Sequence, residues 1–419
     1  NSFCTLLHPT FRRKRTNAMD GPGHPQHDHD DGHVKQLTLE ETAVDACSRK
    51  RHAVERGYFE DPYLRHFTRD TTYINSPLMN RGYWLRVRTV ESAINRFVQA
   101  LPEGAPFQVL SLGGGFDTLF FRWAALATKT DAAPAAQSAQ PADDDGSAYE
   151  AREFALSHQS VAGAALRAGR LHRFVEVDQR EVIEAKRRVI QRSDDVAAFA
   201  GLQAGQPVAG PLTEAPEASK ADVYRMVAGD LRKSGSLCEC LCGGATNGEA
   251  AKAAHEIPVF GKQAPTARLL DPAVPTLVIA ECVLVYMHAA ESLAVLRDLA
   301  ETFAPAPAFA VLAYDAIRPT TPFGKQMISS LGARGLELRG IHDLPNPEAH
   351  KKRYAAELQF PSVACWTMRE LFAQVPPAVQ KRLQHIEMQD DYDEWCLVQE
   401  HYCMSWALRL GTADPDKPK

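Results

Sequence analysis

The chain has 419 residues, of which 45% are hydrophobic, 24% charged and 8% aromatic, the proportions of an ordinary globular protein with enough apolar side chains for a large core. Its 47 basic and 52 acidic side chains give a formal net charge of −5, the wrong sign for a protein whose affinity rests on neutralising nucleic-acid phosphates. Composition also excludes collagen, coiled coil, disulfide mini-protein and wholly disordered chain, and no apolar run reaches the roughly 18 residues that cross a bilayer.

Residues 1–36 lack hydrophobic periodicity and join a basic run (Arg12, Arg13, Lys14, Arg15) to a histidine and aspartate tract (His24, His27, Asp28, His29, Asp30, Asp31, His33), a composition that predicts a disordered tail. There is no leader-like apolar core. The remainder, 37–419, reads as one soluble domain, cytoplasmic and monomeric, with the basic run allowing a nuclear address as well. The nine cysteines are odd in number, and Cys282, Cys365, Cys396 and Cys403 sit in apolar or aromatic stretches, so they read as reduced thiols behaving as small hydrophobes.

Val87, Val90, Ile94, Phe97 and Val98 fall on one face at helical spacing, which predicts an amphipathic helix. Strands are predicted at 107–112, 174–178, 277–281 and 309–314. Three of these are near-continuous apolar runs, as expected of strands covered on both faces. With helical segments at 181–190 and 291–303, the alternation predicts an α/β fold: a doubly wound, mostly parallel sheet with helices on both sides. Two low-complexity stretches, 128–170 and 233–271, read as insertions. The second carries Cys238, Cys240 and Cys242, whose alternate spacing does not make a tetrahedral zinc site and predicts a mobile loop with exposed thiols. No metal is expected.

The first strand candidate ends in Leu112-Gly113-Gly114-Gly115-Phe116-Asp117-Thr118, a glycine turn into a presumed helix. Such a turn after the first strand of an open parallel sheet usually faces a nucleotide. The next strand closes on Val175-Glu176-Val177-Asp178, where an acid can accept hydrogen bonds from both ribose hydroxyls. Gly115 and Asp178 lie 63 positions apart, but omitting 128–170 brings them to the usual separation of about 20. The third glycine of G-x-G-x-x-G is here Thr118, which weakens a dinucleotide reading. A cofactor carrying adenosine and a cationic centre without phosphates, S-adenosylmethionine, suits glycines surrounded by acids, and Asp230 and Glu281 supply further acids.

These residues resemble the leucine carboxyl methyltransferases, which methylate the C-terminal leucine of type-2A protein phosphatase catalytic subunits. The resemblance runs in order through Lys50-Arg51, the stretch Gly57 to Tyr63, Asn80-Arg81-Gly82-Tyr83, Leu112 to Thr118, Val175 to Asp178, Gly229 to Arg232 and Ala280 to Met287. It continues through Tyr314-Asp315, Phe323-Gly324, Arg334-Gly335, Glu394-Trp395 and His401-Tyr402-Cys403. Gln179 and Arg180 replace the family's usual aromatic and proline, and Gly114 stands where alanine is frequent.

The resemblance implies a class I methyltransferase fold with a helical N-terminal region and C-terminal lid elements. It implies S-adenosylmethionine as cofactor, S-adenosylhomocysteine as product, and cofactor contacts at Lys50, Arg81, Gly113, Asp178, Asp230, Leu231 and Glu281. The partner implied is the phosphatase catalytic subunit's C-terminal tail, with no nucleic acid and no membrane. Arg81 and Tyr286 are the expected contacts to the reacting carboxylate. Asp178 and Asp230 also suit helix N-caps, Tyr286 also suits a hydrophobic cluster with Met287, and His401 and Tyr402 read as packing groups. Two alternatives stand beside this reading: a carboxyl methyltransferase acting on a hypermodified tRNA base, and a non-catalytic phosphatase-binding module.

Overall fold

The structure, a computed structural model, describes residues 38–68, 74–128, 161–200, 223–243, 259–260, 268–388 and 391–411. The expected disordered tail at 1–36 and most of both expected insertions lie outside the described residues.

Eight strands form one sheet: β1 (Phe107–Leu112), β2 (Leu171–Asp178), β3 (Tyr224–Ala228), β4 (Val259–Phe260), β5 (Thr276–Glu281), β6 (Ala308–Ala316), β7 (Ser362–Thr367) and β8 (Tyr402–Leu410). Their order is β4-β3-β2-β1-β5-β6-β8-β7. The five central strands, β3, β2, β1, β5 and β6, are parallel. The two edges are antiparallel: β4 lies against β3, and β8 lies between β6 and β7. All four predicted strands are present; β1 has the predicted bounds and the other three run slightly longer.

The central strands are apolar throughout because each of their faces is covered. Val109, Phe174, Leu277 and Leu312 enter one core layer, while their neighbours Leu110, Val175, Val278 and Val311 enter the other. The first layer is filled by the N-terminal helices Leu39–Glu55 and Pro77–Ala100, which bring Tyr83, Trp84, Ile94 and Phe97. The second is filled by the helix Ala289–Thr302 through Val295, Leu296 and Leu299. Thr38 starts the first helix with a reciprocal capping box to Glu41.

The stretches expected to be insertions have structured ends. Residues 161–167 are helical with Ala162 and Ala165 buried, and a Cβ on Gly163 would lie 2.6 Å from Leu126, so this turn packs tightly on the domain. Ser234–Cys242 is a helix ended by Gly243 at φ 64°, and it buries Leu237, Leu241 and Cys242 in the second core layer. The exposed-thiol expectation therefore fails at Cys242. Leucines and cysteines three and four apart make a helical face, a signal that the glycine-rich flanks obscured.

Candidate active site

Chain order reverses between β1 and β5, which are adjacent in the sheet, with β2 on the far side of β1. In open parallel sheets ligands lie at such a switch point, beyond the carboxyl ends of the strands. The β1 turn is built for that position. Gly113 and Gly115 have φ of 61° and 54°, the left-handed region that a side chain resists. A Cβ on Gly113 would fall 2.6 Å from Val283 Cγ2, so glycine is also required there because the loop after β5 packs directly on it. The Gly113 amide donates to Val177 O at 2.7 Å, and the Gly115 amide donates to Asp178 Oδ2 at 2.7 Å. Asp178 Oδ1 accepts the Gln179 amide at 2.7 Å. The acid that ends β2 thus braces the glycine turn, and each of its oxygens keeps a further lone pair. Burial pushes its carboxyl up, and the two amides oppose the shift.

The helix after the turn, Leu119–Thr128, begins under carboxylates. Thr118 is fully buried, its amide donates to Asp117 Oδ1 at 2.7 Å, and its hydroxyl donates to Asp61 Oδ2 at 2.5 Å. Lys186, also fully buried, donates to Asp117 O at 2.7 Å and to Glu176 Oε2 at 2.5 Å. Burial would raise the Asp117 carboxyl, but Lys50, Arg122 and Lys186 together hold it well below the usual carboxylate range. The Thr118 amide and hydroxyl at this helix start are thus already taken by Asp117 and Asp61 and are not open to a phosphate.

Lys50, on the Leu39–Glu55 helix, reaches Asp117 Oδ1 at 3.5 Å. Burial works against its charge, but Asp117 and Glu281 outweigh that and raise its pKa. Glu281, the last residue of β5, accepts the Arg86 Nε–H at 2.6 Å, and the Arg86 guanidinium lies 4.6 Å from the Tyr314 ring centroid. Lys50, Asp117, Arg86 and Glu281 therefore form a set of alternating charges beside the glycine turn. Immediately after Glu281, Cys282 adopts φ 53°, and its amide donates to Tyr314 O at 2.7 Å. A buried non-glycine residue in that conformation is strained. It turns the chain abruptly from β5 into the 3₁₀ turn Leu284–Tyr286, where Tyr286 is half-buried.

Arg81 is elsewhere. It is 2% exposed, its Nη2 lies 3.5 Å from Leu383 O and its guanidinium lies 5.9 Å from the Trp395 ring centroid. It thus faces the helices Pro377–Ile386 and Tyr392–Glu400. Arg86, not Arg81, faces Glu281. A charge inserted into the apolar stripe Tyr83, Val90, Ile94 and Phe97 was the signal for it. Lys186, between Ile183 and Ile190, has the same signature. Asp230 follows β3 and is engaged by Arg232 through Nε at 2.9 Å and Nη2 at 2.8 Å, which lowers its pKa, with buried Leu231 beside it. His401 lies 2.7 Å from Leu397 O through Nδ1 and 2.6 Å from Thr321 Oγ1 through Nε2, while Tyr402 stacks on Tyr314 at 5.4 Å. Both are packing groups, as expected.

The family profile described as leucine carboxyl methyltransferase matches residues 38–132, which span Lys50, Arg86 and the glycine turn. Across 387 residues the chain is 26% identical to leucine carboxyl methyltransferase 1 of Aspergillus fumigatus, covering 91% of this chain and 85% of that protein. The chain is thus similar to leucine carboxyl methyltransferases over about nine-tenths of its length. The Arabidopsis thaliana homologue of that enzyme is 27% identical over 375 residues, covering 89% of this chain and 90% of its own length. Human tRNA wybutosine-synthesizing protein 4 is 28% identical over 385 residues, covering 89% of this chain but 44% of that larger protein. The chain is a methyltransferase with a mostly parallel α/β sheet, and no helix among the described residues is long and apolar enough to cross a membrane.

Proposed function

We propose that this methyltransferase transfers the methyl group of S-adenosylmethionine to the α-carboxylate of a C-terminal leucine, that of a type-2A protein phosphatase catalytic subunit. The observation that carries the cofactor reading is the helix start after the glycine turn, closed by Asp117 and Asp61 against phosphates while Asp178 and Glu281 line the same crevice. When bound, the cofactor supplies an electrophilic methyl group on a sulfonium. In this reading Asp178 takes the ribose hydroxyls on its remaining lone pairs, and Asp230 and Leu231 take the adenine end. Gly113 lets the turn pass close to the ligand, and Glu281 orients Arg86. Lys50 and Arg86 hold the carboxylate of the cofactor's methionine part, the place the sequence assigned to Arg81.

The acceptor carboxylate is ionised at neutral pH, its ordinary pKa being about 3.3 to 3.7, so no general base is needed. Tyr286, on the turn beside Glu281, orients it. Attack on a sulfonium methyl cancels opposite charges, a change that water opposes, so the residues act by positioning the reactants and excluding solvent. The ester product would alter how the phosphatase assembles with its other subunits.

The test is incubation with labelled S-adenosylmethionine and a phosphatase catalytic subunit, intact or lacking its final leucine, with tRNA as a parallel acceptor. Label confined to the intact protein supports the reading. Label on the truncated protein, or on tRNA alone, refutes it.

A further inference from the structure

Behind the Leu284–Tyr286 turn lies a set of buried polar groups that the proposed chemistry does not use. Asp315, near the carboxyl end of β6, is 2% exposed. Its Oδ1 accepts the Val285 amide at 3.2 Å, while its Oδ2 is buried with no hydrogen-bond partner. Facing it is Arg353, also 2% exposed, the first residue of the π-helical turn Arg353–Glu357. Arg353 donates through Nη1 to Ser292 Oγ at 3.4 Å and through Nη2 to Tyr354 Oη at 3.2 Å, and its charge favours the ionised form of Asp315. A buried ionised carboxylate with an unfilled oxygen is costly to keep, and single π turns within helices recur where a group is being placed.

The Asp315 bond falls on the middle residue of the turn. The same residue's carbonyl accepts the Gly340 amide at 3.0 Å, and a Cβ on Gly340 would lie 2.7 Å from Met287 O. Val285 is thus clamped from both sides: its N–H by β6 and its C=O by the segment after the helix Pro322–Gly332. One residue on is Tyr286, and two residues back is Val283, which rests on Gly113. A shift of Asp315 would therefore reach Tyr286, on the acceptor side, through the Val285 peptide, while Val283 stays held against the β1 turn.

We infer that Asp315 is a positioning residue for methyl transfer: by accepting the Val285 N–H it fixes the turn that presents Tyr286 to the acceptor, and Arg353 keeps it in place from the C-terminal segment. The inference rests on the proposal that Tyr286 orients the acceptor carboxylate. It is tested in the full chain with Asp315→Asn, which keeps an acceptor oxygen but no charge, and Asp315→Leu, which keeps neither. Asp315→Leu should exchange the amide hydrogens of 283–287 about tenfold faster and raise the KM for the phosphatase acceptor by a similar factor, the scale of losing one buried hydrogen bond. S-adenosylmethionine affinity by calorimetry should stay within about twofold, and Asp315→Asn should restore both exchange and KM. A folded Asp315→Leu with parental exchange and KM overturns the inference. So does an Asp315→Asn protein whose turn exchanges freely, a result available even if the leucine variant fails to fold. Exchange needs no turnover, so a parent chain that methylates no carboxylate would sink the functional reading while the placement of the turn is still measured.

Discussion

Replacing Gly113 by alanine tests how the site is assembled, because two separate costs can be assigned to one methyl group. The residue sits at φ 61°, where a side chain costs about 1–3 kcal/mol. Its new Cβ would stand 2.6 Å from Val283 Cγ2 and 2.8 Å from Val283 Cβ, an overpacking of the kind that costs about 1–3 kcal/mol. Gly113→Ala should therefore destabilise the protein by about 2–6 kcal/mol. The packing part should be recoverable. Val283→Ala removes the nearer atom and Val283→Gly removes both, so relief should grow in that order when each is combined with Gly113→Ala. Urea denaturation of the parent, the single variants and the two double variants gives a double-mutant coupling for each pair. Coupling within about 0.5 kcal/mol of zero for both pairs would show that Val283 does not rest on the turn, and the crevice could not then be assembled by the β5 loop packing on the β1 turn.

Lys186→Met should cost about 3–5 kcal/mol because it leaves Glu176 buried without its partner, whereas Lys186→Met with Glu176→Leu should recover most of that loss in denaturant titrations. Arg86→Lys should weaken S-adenosylmethionine binding in calorimetry more than Arg81→Lys, since only Arg86 faces Glu281; the opposite ranking would return the role to Arg81. Burial and the neighbouring Arg353 push the His350 imidazole down to about 3, so the unfolded chain takes up a proton that the folded one refuses between about pH 6.5 and 3. Parental stability loses roughly 1.4 kcal/mol per pH unit there from this group, and the stability of His350→Gln relative to the parent should rise by that slope on acidification. Asp315, raised by burial to about 6, acts with the opposite sign: folded protein binds its proton first, adding stability as pH falls from about 6 to 3.8. Asp315→Asn should lose relative stability on acidification over that window.

Much of the sheet was legible because its strands are buried on both faces and so read as continuous apolar runs. The strands that escaped notice, β3, β4, β7 and β8, have a different character. β7 has Ser362 exposed and Val363, Ala364 and Trp366 half-buried, and β4 is two residues long. In Tyr224–Ala228 the buried Arg225 interrupts the run, and its guanidinium donates to the neighbouring Tyr224 carbonyl at 3.0 Å. The strand-end positions of Asp178 and Glu281 were legible for a different reason: an acid closing an apolar run marks the point where the chain leaves the sheet.

What the sequence hid was the identity of the charge partners. Arg81 and Arg86 share one helix and differ by five positions, about 140° of rotation, so they face opposite structures although both are buried. No property of either residue alone decides which one meets Glu281. The decision lies in how the Pro77–Ala100 helix is rotated on the sheet, and that is fixed by apolar contacts: Tyr83, Val90, Ile94 and Phe97 seek the first core layer. Arg86 lies on that same face and is carried toward the ends of β5 and β6, while Arg81 is carried toward the C-terminal helices. The core thus chooses which arginine meets Glu281. A substitution that rotates this helix, such as Ile94→Glu, should lower cofactor affinity without touching the crevice, and unchanged calorimetric affinity in a folded variant would separate the site from the packing invoked to build it.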